Sequence, residues 1–128
     1  MATRSKEKGI KREETREKRP FAKAKYIRIA PGKVDIVLDL VRGKNYFDAV
    51  AILKASPKSA SEPILKCLNS AAANAEVNQG LSKDALFVAE CYTGQGPVFK
   101  RYQPVSKGRA HSILKRTSHI TIVLDQKA

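Results

Sequence analysis

The chain has 128 residues, enough for one domain with a modest hydrophobic core, and it carries a formal net charge of +13. No stretch approaches the roughly 20 apolar residues of a membrane-spanning helix, and the basic segments lack the apolar face of an interfacial helix. The N-terminus also lacks the apolar core of a secretory signal, so we expect a cytoplasmic protein with no membrane partner.

The excess charge lies entirely at the two ends of the chain. Residues 1–33 hold twelve Lys and Arg against four Glu, whereas residues 34–90 hold six basic and seven acidic residues. Residues 91–128 hold seven basic residues against Asp125 alone. Such segments repel themselves unless a polyanion neutralises them, and a phosphate backbone does so while gaining affinity from released counterions. The charge distribution therefore predicts a nucleic-acid partner.

The N-terminal region divides into a basic tail and a strand. Residues 1–20 are highly charged and almost without large apolar residues, so we expect a flexible tail that orders only on a partner; the alternative is a frayed helix. From Ala22 to Ala30 apolar and basic residues alternate, which predicts a strand with one cationic face. The alternative is an ordinary exposed strand face. The candidate RNA-binding residues of this region are three cations of the strand and one at the start of the following helix: Lys23, Lys25, Arg28 and Lys33.

The nearly neutral middle of the chain predicts three helices. The first begins at Pro31, repeats apolar residues at i, i+3, i+4 and i+7, and ends near Gly43. The second is predicted over residues 46–54. The third spans about 57–79 and is the longest, with Pro63 kinking or separating its first turns.

Beyond the helices the chain is β in character. Apolar residues begin one strand at Leu86 and alternate near the end of another, from Ile120 to Leu124. Between them, from about 94 to 117, we predict a long β-hairpin with its turn at Lys107-Gly108. One arm of this hairpin would extend about 40 Å at ~3.3 Å per residue, so it should protrude from a body this small. Because an isolated two-stranded ribbon is marginal in water, we expect RNA to hold it.

The side chains of this hairpin indicate what it binds. No carboxylate occurs between Cys91 and Leu124, and three flat side chains, Phe99, Tyr102 and His111, lie among the cations. Flat side chains can stack on unpaired bases while the charges meet phosphates. A merely solvated basic loop, which is the alternative, normally contains some Asp or Glu. The candidate RNA-binding cations of the hairpin are Lys100, Arg101, Lys107, Arg109, Lys115 and Arg116.

Two other segments could suggest chemistry but favour simpler interpretations. Asp35 and Asp39 share a helical face, yet we expect them to be solvated, with Arg42 within reach of Asp39. The glycine-rich segment 94–97 is followed by no Lys-Ser/Thr pair and opens no helix, so a bulge or bend in the hairpin is a better interpretation than a phosphate-binding loop.

The histidines and cysteines predict no active site. His111 and His119 have no Cys or acidic residue at metal-ligand spacing. Cys67 and Cys91 have neither ligand spacing nor a local partner, so we expect small buried thiols in a reducing compartment. We therefore predict no catalytic residue, no metal and no cofactor.

The return strand of the hairpin resembles a known family. The blocks Gly108-Arg109-Ala110 and Ile113-Leu114-Lys115-Arg116-Thr117-Ser118-His119-Ile120 closely resemble the signature of the ribosomal protein twenty-two family of the large subunit, in its bacterial form. Other pieces agree in order and spacing: Pro31-Gly32-Lys33-Val34, Val41-Arg42-Gly43-Lys44, Ser70-Ala71-Ala72-Ala73-Asn74-Ala75-Glu76, and Gly96-Pro97 with Lys100-Arg101. The resemblance covers about Ala22 to Leu124.

The resemblance implies an α+β fold in which three helices pack on a small antiparallel sheet and a long β-hairpin protrudes. It implies one ribosomal-protein domain over residues 21–128, on the outer surface of the subunit, with the hairpin running through RNA to the nascent-peptide exit tunnel. The tunnel-lining residues that it implies are Phe99, Lys100, Arg101 and Tyr102. The chain departs from the family at Val105, where arginine is usual, and at residues 1–20, which lie outside the shared core.

We therefore expect a non-enzymatic constituent of the large ribosomal subunit that binds and organises its RNA. Expected partners are the large-subunit ribosomal RNA, neighbouring ribosomal proteins and the nascent polypeptide, with no homo-oligomer. Two alternatives stay open at this point: a free-standing RNA-binding chaperone or regulator, and a nucleic-acid-modifying enzyme. A ribosomal protein should co-migrate with large subunits, whereas an enzyme needs an acidic or histidine cluster.

Overall fold

The computed structural model describes residues 3–127, which form four α-helices and five β-strands. The helices are α1 Thr3–Glu14, α2 Pro31–Val41, α3 Tyr46–Ala55 and α4 Ser61–Gln79. The strands are β1 Phe21–Ile27, β2 Leu86–Gln95, β3 Phe99–Pro104, β4 Ala110–Lys115 and β5 Ser118–Gln126. The α+β class is confirmed.

The body is a three-stranded antiparallel sheet covered on one face by helices. The strand order is β1-β5-β2, so the last strand lies in the middle and β1 and β2 form the edges. Helices α2 and α4 pack on the sheet, and α3 packs against both of them. Ile120, Ile122 and Leu124 alternate along β5 toward these helices and are fully buried. Strands β3 and β4 form a separate two-stranded sheet, which is the predicted hairpin.

Helix α2 forms where the apolar repeat predicts it. Pro31 is its first residue, and the four residues of the repeat are buried. Gly43 follows the helix with a φ of +75° and donates its N–H to the carbonyl oxygen of Val88 at 3.0 Å. The left-handed conformation, which favours glycine, thus turns the chain directly onto β2.

Helix α4 begins later than predicted. It starts at Ser61 rather than near residue 57, and Pro63 lies in its first turn, where a missing N–H breaks no intrahelical hydrogen bond. The helix is therefore neither kinked nor divided by the proline. Small residues along α4 bring it close to the sheet, and the Asn74 side chain donates to the carbonyl oxygen of Phe21 at 2.9 Å.

The N-terminal segment forms a helix, which was the alternative to the expected flexible tail. Helix α1 has no buried residue, and Lys, Arg and Glu favour helix without any packing. Contact with the body begins just after it, where Gln79 donates to the carbonyl oxygen of Lys18 and Arg19 bridges Glu17 and Glu90. The three packed helices are confirmed, with α1 added outside them. The flexibility of residues 1–20 in solution stays a prediction.

Both cysteines are buried, as predicted, and neither is in a disulfide. Burial raises the pKa of Cys67 to about 11 and also raises the pKa of Cys91. Because the thiolate is the reactive form, we expect both thiols to resist alkylation in the native protein at neutral pH. Both should react rapidly in denaturant. Mass spectrometry after iodoacetamide treatment measures this, and complete alkylation of either native thiol contradicts the burial.

Gly96 fixes the junction between the body and the hairpin. A Cβ at this position would lie 2.3 Å from Oγ1 of Thr117, which is buried and donates to the carbonyl oxygen of Pro97 at 2.7 Å. The Gly96 N–H in turn donates to the Thr117 carbonyl oxygen at 2.9 Å. The strand is interrupted between Gln95 and Phe99, and Gly96 at this interruption approaches the start of β5 closely.

Substitution of this glycine should destabilise the protein. We expect Gly96→Ala to lower the free energy of unfolding by about 1–3 kcal/mol, the range typical of an overpacked site. Gly94→Ala is the matched control, since a Cβ there meets no atom within 4 Å. Urea unfolding of both variants measures this. Equal free energies of unfolding for Gly96→Ala and Gly94→Ala would show that the junction accommodates a Cβ without cost.

Candidate nucleic-acid interface

The hairpin consists of two strands that pair with each other. Strands β3 and β4 pair in register from Phe99 opposite Lys115 to Pro104 opposite Ala110. Every residue of β3 is exposed, as is nearly every residue of β4. The turn is at Ser106–Gly108, as predicted, and both Lys107 and Gly108 have positive φ values.

Because the ribbon has no buried face, its hydrogen bonds should open easily in the free protein. We expect the amides of residues 100–116 to exchange much faster than those of β5, since such local openings cost little free energy. Amide hydrogen exchange on the protein without RNA measures this. Strong protection across the ribbon would mean that it is stable alone and does not require a partner.

The pairing register divides the hairpin side chains into two faces, because paired residues point to the same side and successive residues alternate. The first face carries Phe99, Arg101, Gln103, His111, Ile113 and Lys115. The second face carries Lys100, Tyr102, Pro104, Ala110, Ser112 and Leu114. Each face therefore combines at least one cation with at least one flat side chain, although the first face has more of both.

The base of the hairpin contacts the cationic end of the first strand. The Arg28 guanidinium lies over the Phe99 ring, 5.0 Å from its centroid, in the geometry of a cation–π contact. Sequence reasoning placed these two residues in separate candidate groups. Only the folded structure brings them together, because they are far apart in sequence and neither lies in a repeated pattern.

All ten candidate cations are exposed, and within residues 3–127 none of them forms a salt bridge. The ion pairs in that part of the chain use other cations: Arg19, Arg42, Lys66 and Lys83. Three of the six cations in residues 34–90 therefore have a carboxylate partner, whereas none of the ten candidates on β1, the start of α2 and the hairpin has one in residues 3–127. Unmatched exposed cations are the electrostatic feature typical of a surface that binds a polyanion.

The ten cations form an extended path rather than one compact site. Lys23 and Lys25 lie on β1, and Lys33 lies in the first turn of α2. The remaining cations follow the hairpin from Arg28 at its base to the turn at Lys107. This arrangement suits a long, continuous partner better than a small ligand.

The other residues considered from the sequence are engaged in local contacts. Asp39 forms an ion pair with Arg42, as predicted, and Asp35 is exposed. His119 Nδ1 accepts a hydrogen bond from the Tyr26 N–H, and His111 is exposed on the hairpin. In the described part of the chain, no group of three or more His, Cys, Asp or Glu side chains could hold a metal ion.

The described helices include none with the length and apolarity required to cross a bilayer.

The sequence model of the family described as Ribosomal protein L22p/L17e matches residues 22–125. The chain belongs to this family. That range agrees with the resemblance found over about Ala22 to Leu124, and the family identity confirms the prediction that the chain is a ribosomal protein and not an enzyme.

Individual relatives agree with the family match. The chain is 55% identical over 105 residues to the protein called large ribosomal subunit protein uL22 of Clostridium novyi (strain NT), covering 82% of this chain and 95% of that protein. It is 56% identical over 104 residues to the protein of the same name from Desulfitobacterium hafniense (strain DSM 10664 / DCB-2), covering 81% of this chain and 91% of that protein.

Proposed function

We propose that this protein is a cytoplasmic structural constituent of the large ribosomal subunit that binds and organises its ribosomal RNA. The observation that carries the proposal is that the ten candidate cations are all exposed and that none of them forms a salt bridge within residues 3–127, combined with the name that its relatives bear. The proposed RNA-binding residues are Lys23, Lys25, Arg28, Lys33, Lys100, Arg101, Lys107, Arg109, Lys115 and Arg116.

The mechanism follows from the difference between body and hairpin. The body has a buried hydrophobic core, so it supplies a fixed base for β1 and the hairpin. Each exposed cation that meets a phosphate releases counterions, and the gain in free energy favours threading the ribbon between RNA segments. Ordering of the ribbon would then accompany binding, as in other segments that lack a core of their own.

The proposed wall of the exit tunnel involves both hairpin faces. Phe99 and Arg101 point to the first face, while Lys100 and Tyr102 point to the second, so these four residues meet their surroundings on opposite sides of the ribbon. The first face also carries Lys115 and contacts Arg28 at its base. We therefore assign the first face to RNA, while on the second face Lys100 contacts both RNA and the nascent polypeptide and Tyr102 faces the lumen.

RNA crosslinking with site mapping, performed on large subunits from cells, tests this proposal. Crosslinks should fall on the hairpin and β1, and Arg101 and Lys100 should differ in their partners. Sedimentation through a moderate-salt wash distinguishes the ribosomal constituent from a free-standing RNA chaperone, which should leave the large subunits. A protein that sediments free of subunits and crosslinks only to other RNAs would refute the proposal.

Neighbouring ribosomal proteins are proposed as further partners, and we propose no homo-oligomer. Val105, near the hairpin turn, is half-buried and adds no charge there, so the turn cations of the proposal are Lys107 and Arg109.

A further inference from the structure

An irregularity in the edge strand β1 includes Tyr26, a residue with no role assigned so far. Ala24 pairs with Ile120 and Ile27 pairs with Ser118, so Lys25 and Tyr26 together lie opposite His119 alone. One extra residue on one strand is a β-bulge, a feature that re-aims side chains and occurs preferentially at sheet edges and near functional sites. Here the bulge exposes Lys25 and Tyr26 in succession, in place of the alternation that a regular strand requires.

Tyr26 adopts a backbone conformation that side-chain-bearing residues rarely accept. Its φ is +58°, and such left-handed conformations in bulky residues persist only where surrounding contacts enforce them. The enforcing contact is His119, whose Nδ1 accepts the Tyr26 N–H at 3.0 Å and whose ring meets the tyrosine ring edge-to-face at 4.9 Å. A tyrosine held in this way is fixed in orientation before any ligand arrives.

Despite this constraint, the tyrosine ring is not part of the core. Tyr26 is 64% exposed. Hydrophobic burial therefore does not explain why the chain tolerates the strain. The available face of a fixed aromatic ring is suited to stacking on another flat group, such as an unpaired nucleobase.

The surroundings of the ring suit a nucleotide in particular. Lys25 precedes it and Arg28 follows two residues later, and both are exposed cations without a carboxylate partner in residues 3–127. Because His119 Nδ1 accepts a hydrogen bond, its neutral ring carries the proton on Nε2, which is left as a donor. Stacking surface, hydrogen-bond donor and phosphate-binding cations thus occur within one bulge at the hairpin base.

We infer that Tyr26, supported by His119, is a stacking site for one unpaired nucleobase of RNA, with Lys25 and Arg28 binding the adjacent phosphates. The inference rests on the proposed RNA-binding function and deepens it. The path of cations contacts the RNA backbone regardless of sequence or pairing, whereas this bulge requires a base that has left its helix. It therefore gives the protein a means of fixing its position at one unstacked nucleotide.

Affinity measurements on the full chain test this inference. The probes are an oligouridylate and an RNA duplex of the same length, measured by fluorescence anisotropy at one salt concentration. We expect Tyr26→Leu to weaken binding to the single strand by about 5-fold to 150-fold, the effect of losing one stacked base. Tyr26→Phe should bind as the parent does, and the duplex affinity of both variants should stay unchanged.

Two further variants separate stacking from stability. Tyr26→Gly relieves the left-handed strain, so it should unfold at an equal or higher temperature than the parent and still bind the single strand weakly. Tyr92→Leu is the matched control, because Tyr92 is an exposed tyrosine of the other edge strand that pairs regularly with Thr121, and the small cavity that it lines holds two carboxylates, Glu17 and Glu90, beside Lys23. It should bind both probes as the parent does.

The outcomes distinguish this inference from the function on which it rests. If Tyr26→Leu and Tyr26→Gly bind the single strand as tightly as the parent, and parental binding still weakens with salt, the stacking site is wrong while the RNA-binding function stands. Equal losses for Tyr92→Leu and Tyr26→Leu would also overturn the site. Parental binding that is insensitive to salt would instead count against the proposed function itself.

Discussion

The affinity of the purified protein for RNA should fall steeply with salt, with a log–log slope of about −4 to −5. This value follows if about six cations of the arms meet phosphates, since each neutralised phosphate contributes ~0.7–0.9 to the slope. The exposure of the ten candidate cations and the lack of carboxylate partners for them in residues 3–127 support that number. Titrations at several salt concentrations measure the slope, and a value near −1 would leave the electrostatic mechanism without support.

Single substitutions should show how much each cation contributes to the salt dependence of RNA affinity. Lys107→Ala and Arg109→Ala, at the hairpin turn, should each flatten it by about one unit or less. Lys66→Ala is the matched control, because Lys66 is equally cationic and 75% exposed in its side chain but pairs with Glu62 at 2.9 Å. Removing it should leave the slope unchanged. A control that flattens the slope as much as the turn variants would mean that net charge alone governs binding.

Most of the fold could be predicted from the sequence because its signals are local. The apolar repeat that begins at Val34 fixes the buried face of α2, and Lys107-Gly108 fixes the hairpin turn. The predicted start of the third helix was wrong by four residues, because proline is compatible with the first turn of a helix and does not mark where it begins. A flexible tail was preferred to a helix for residues 1–20 because they lack apolar residues, although Lys, Arg and Glu favour helix without any packing.

The candidate interface could be predicted in composition but not in geometry. Charge patterning identified the ten cations, since a run without carboxylates is visible in one dimension. The contact of Arg28 with Phe99 and the hydrogen bond from Tyr26 to His119 join residues that are distant in sequence. The bulge at Tyr26 arises from a one-residue mismatch between paired strands, and no property of either strand by itself reveals it.

Deletion of Phe99-Lys100-Arg101 from the only copy of this protein in a cell should affect the exit tunnel rather than the assembly of the subunit. We expect large subunits to assemble, because six of the proposed RNA-binding cations outside the turn remain in place. These are Lys23, Lys25, Arg28, Lys33, Lys115 and Arg116. We also expect the response to tunnel-binding macrolides or to stalling nascent peptides to change, since the family resemblance implies that this trio lies beside the tunnel constriction.

The physical reason is a change in the shape of the ribbon. The deletion removes half of β3, so Ile113 to Lys115 lose their pairing partners and Arg28 loses its contact with Phe99. The arm shortens by about 10 Å at ~3.3 Å per residue, and the turn would be drawn back from its place in the RNA. The double substitution Lys100→Ala/Arg101→Ala keeps the length while removing the charge, so it separates the two effects.

Gradient profiles and drug-sensitivity curves of the three strains decide the outcome. If length matters, the deletion strain should respond differently from the parent while the double substitution resembles it. If charge at the lumen matters, both variants should differ from the parent. Absence of the deleted protein from large subunits would show that the trio anchors the protein and that the division between anchoring body and tunnel-shaping hairpin is wrong. Normal incorporation with unchanged responses in both strains would instead refute the placement of these residues at the tunnel wall.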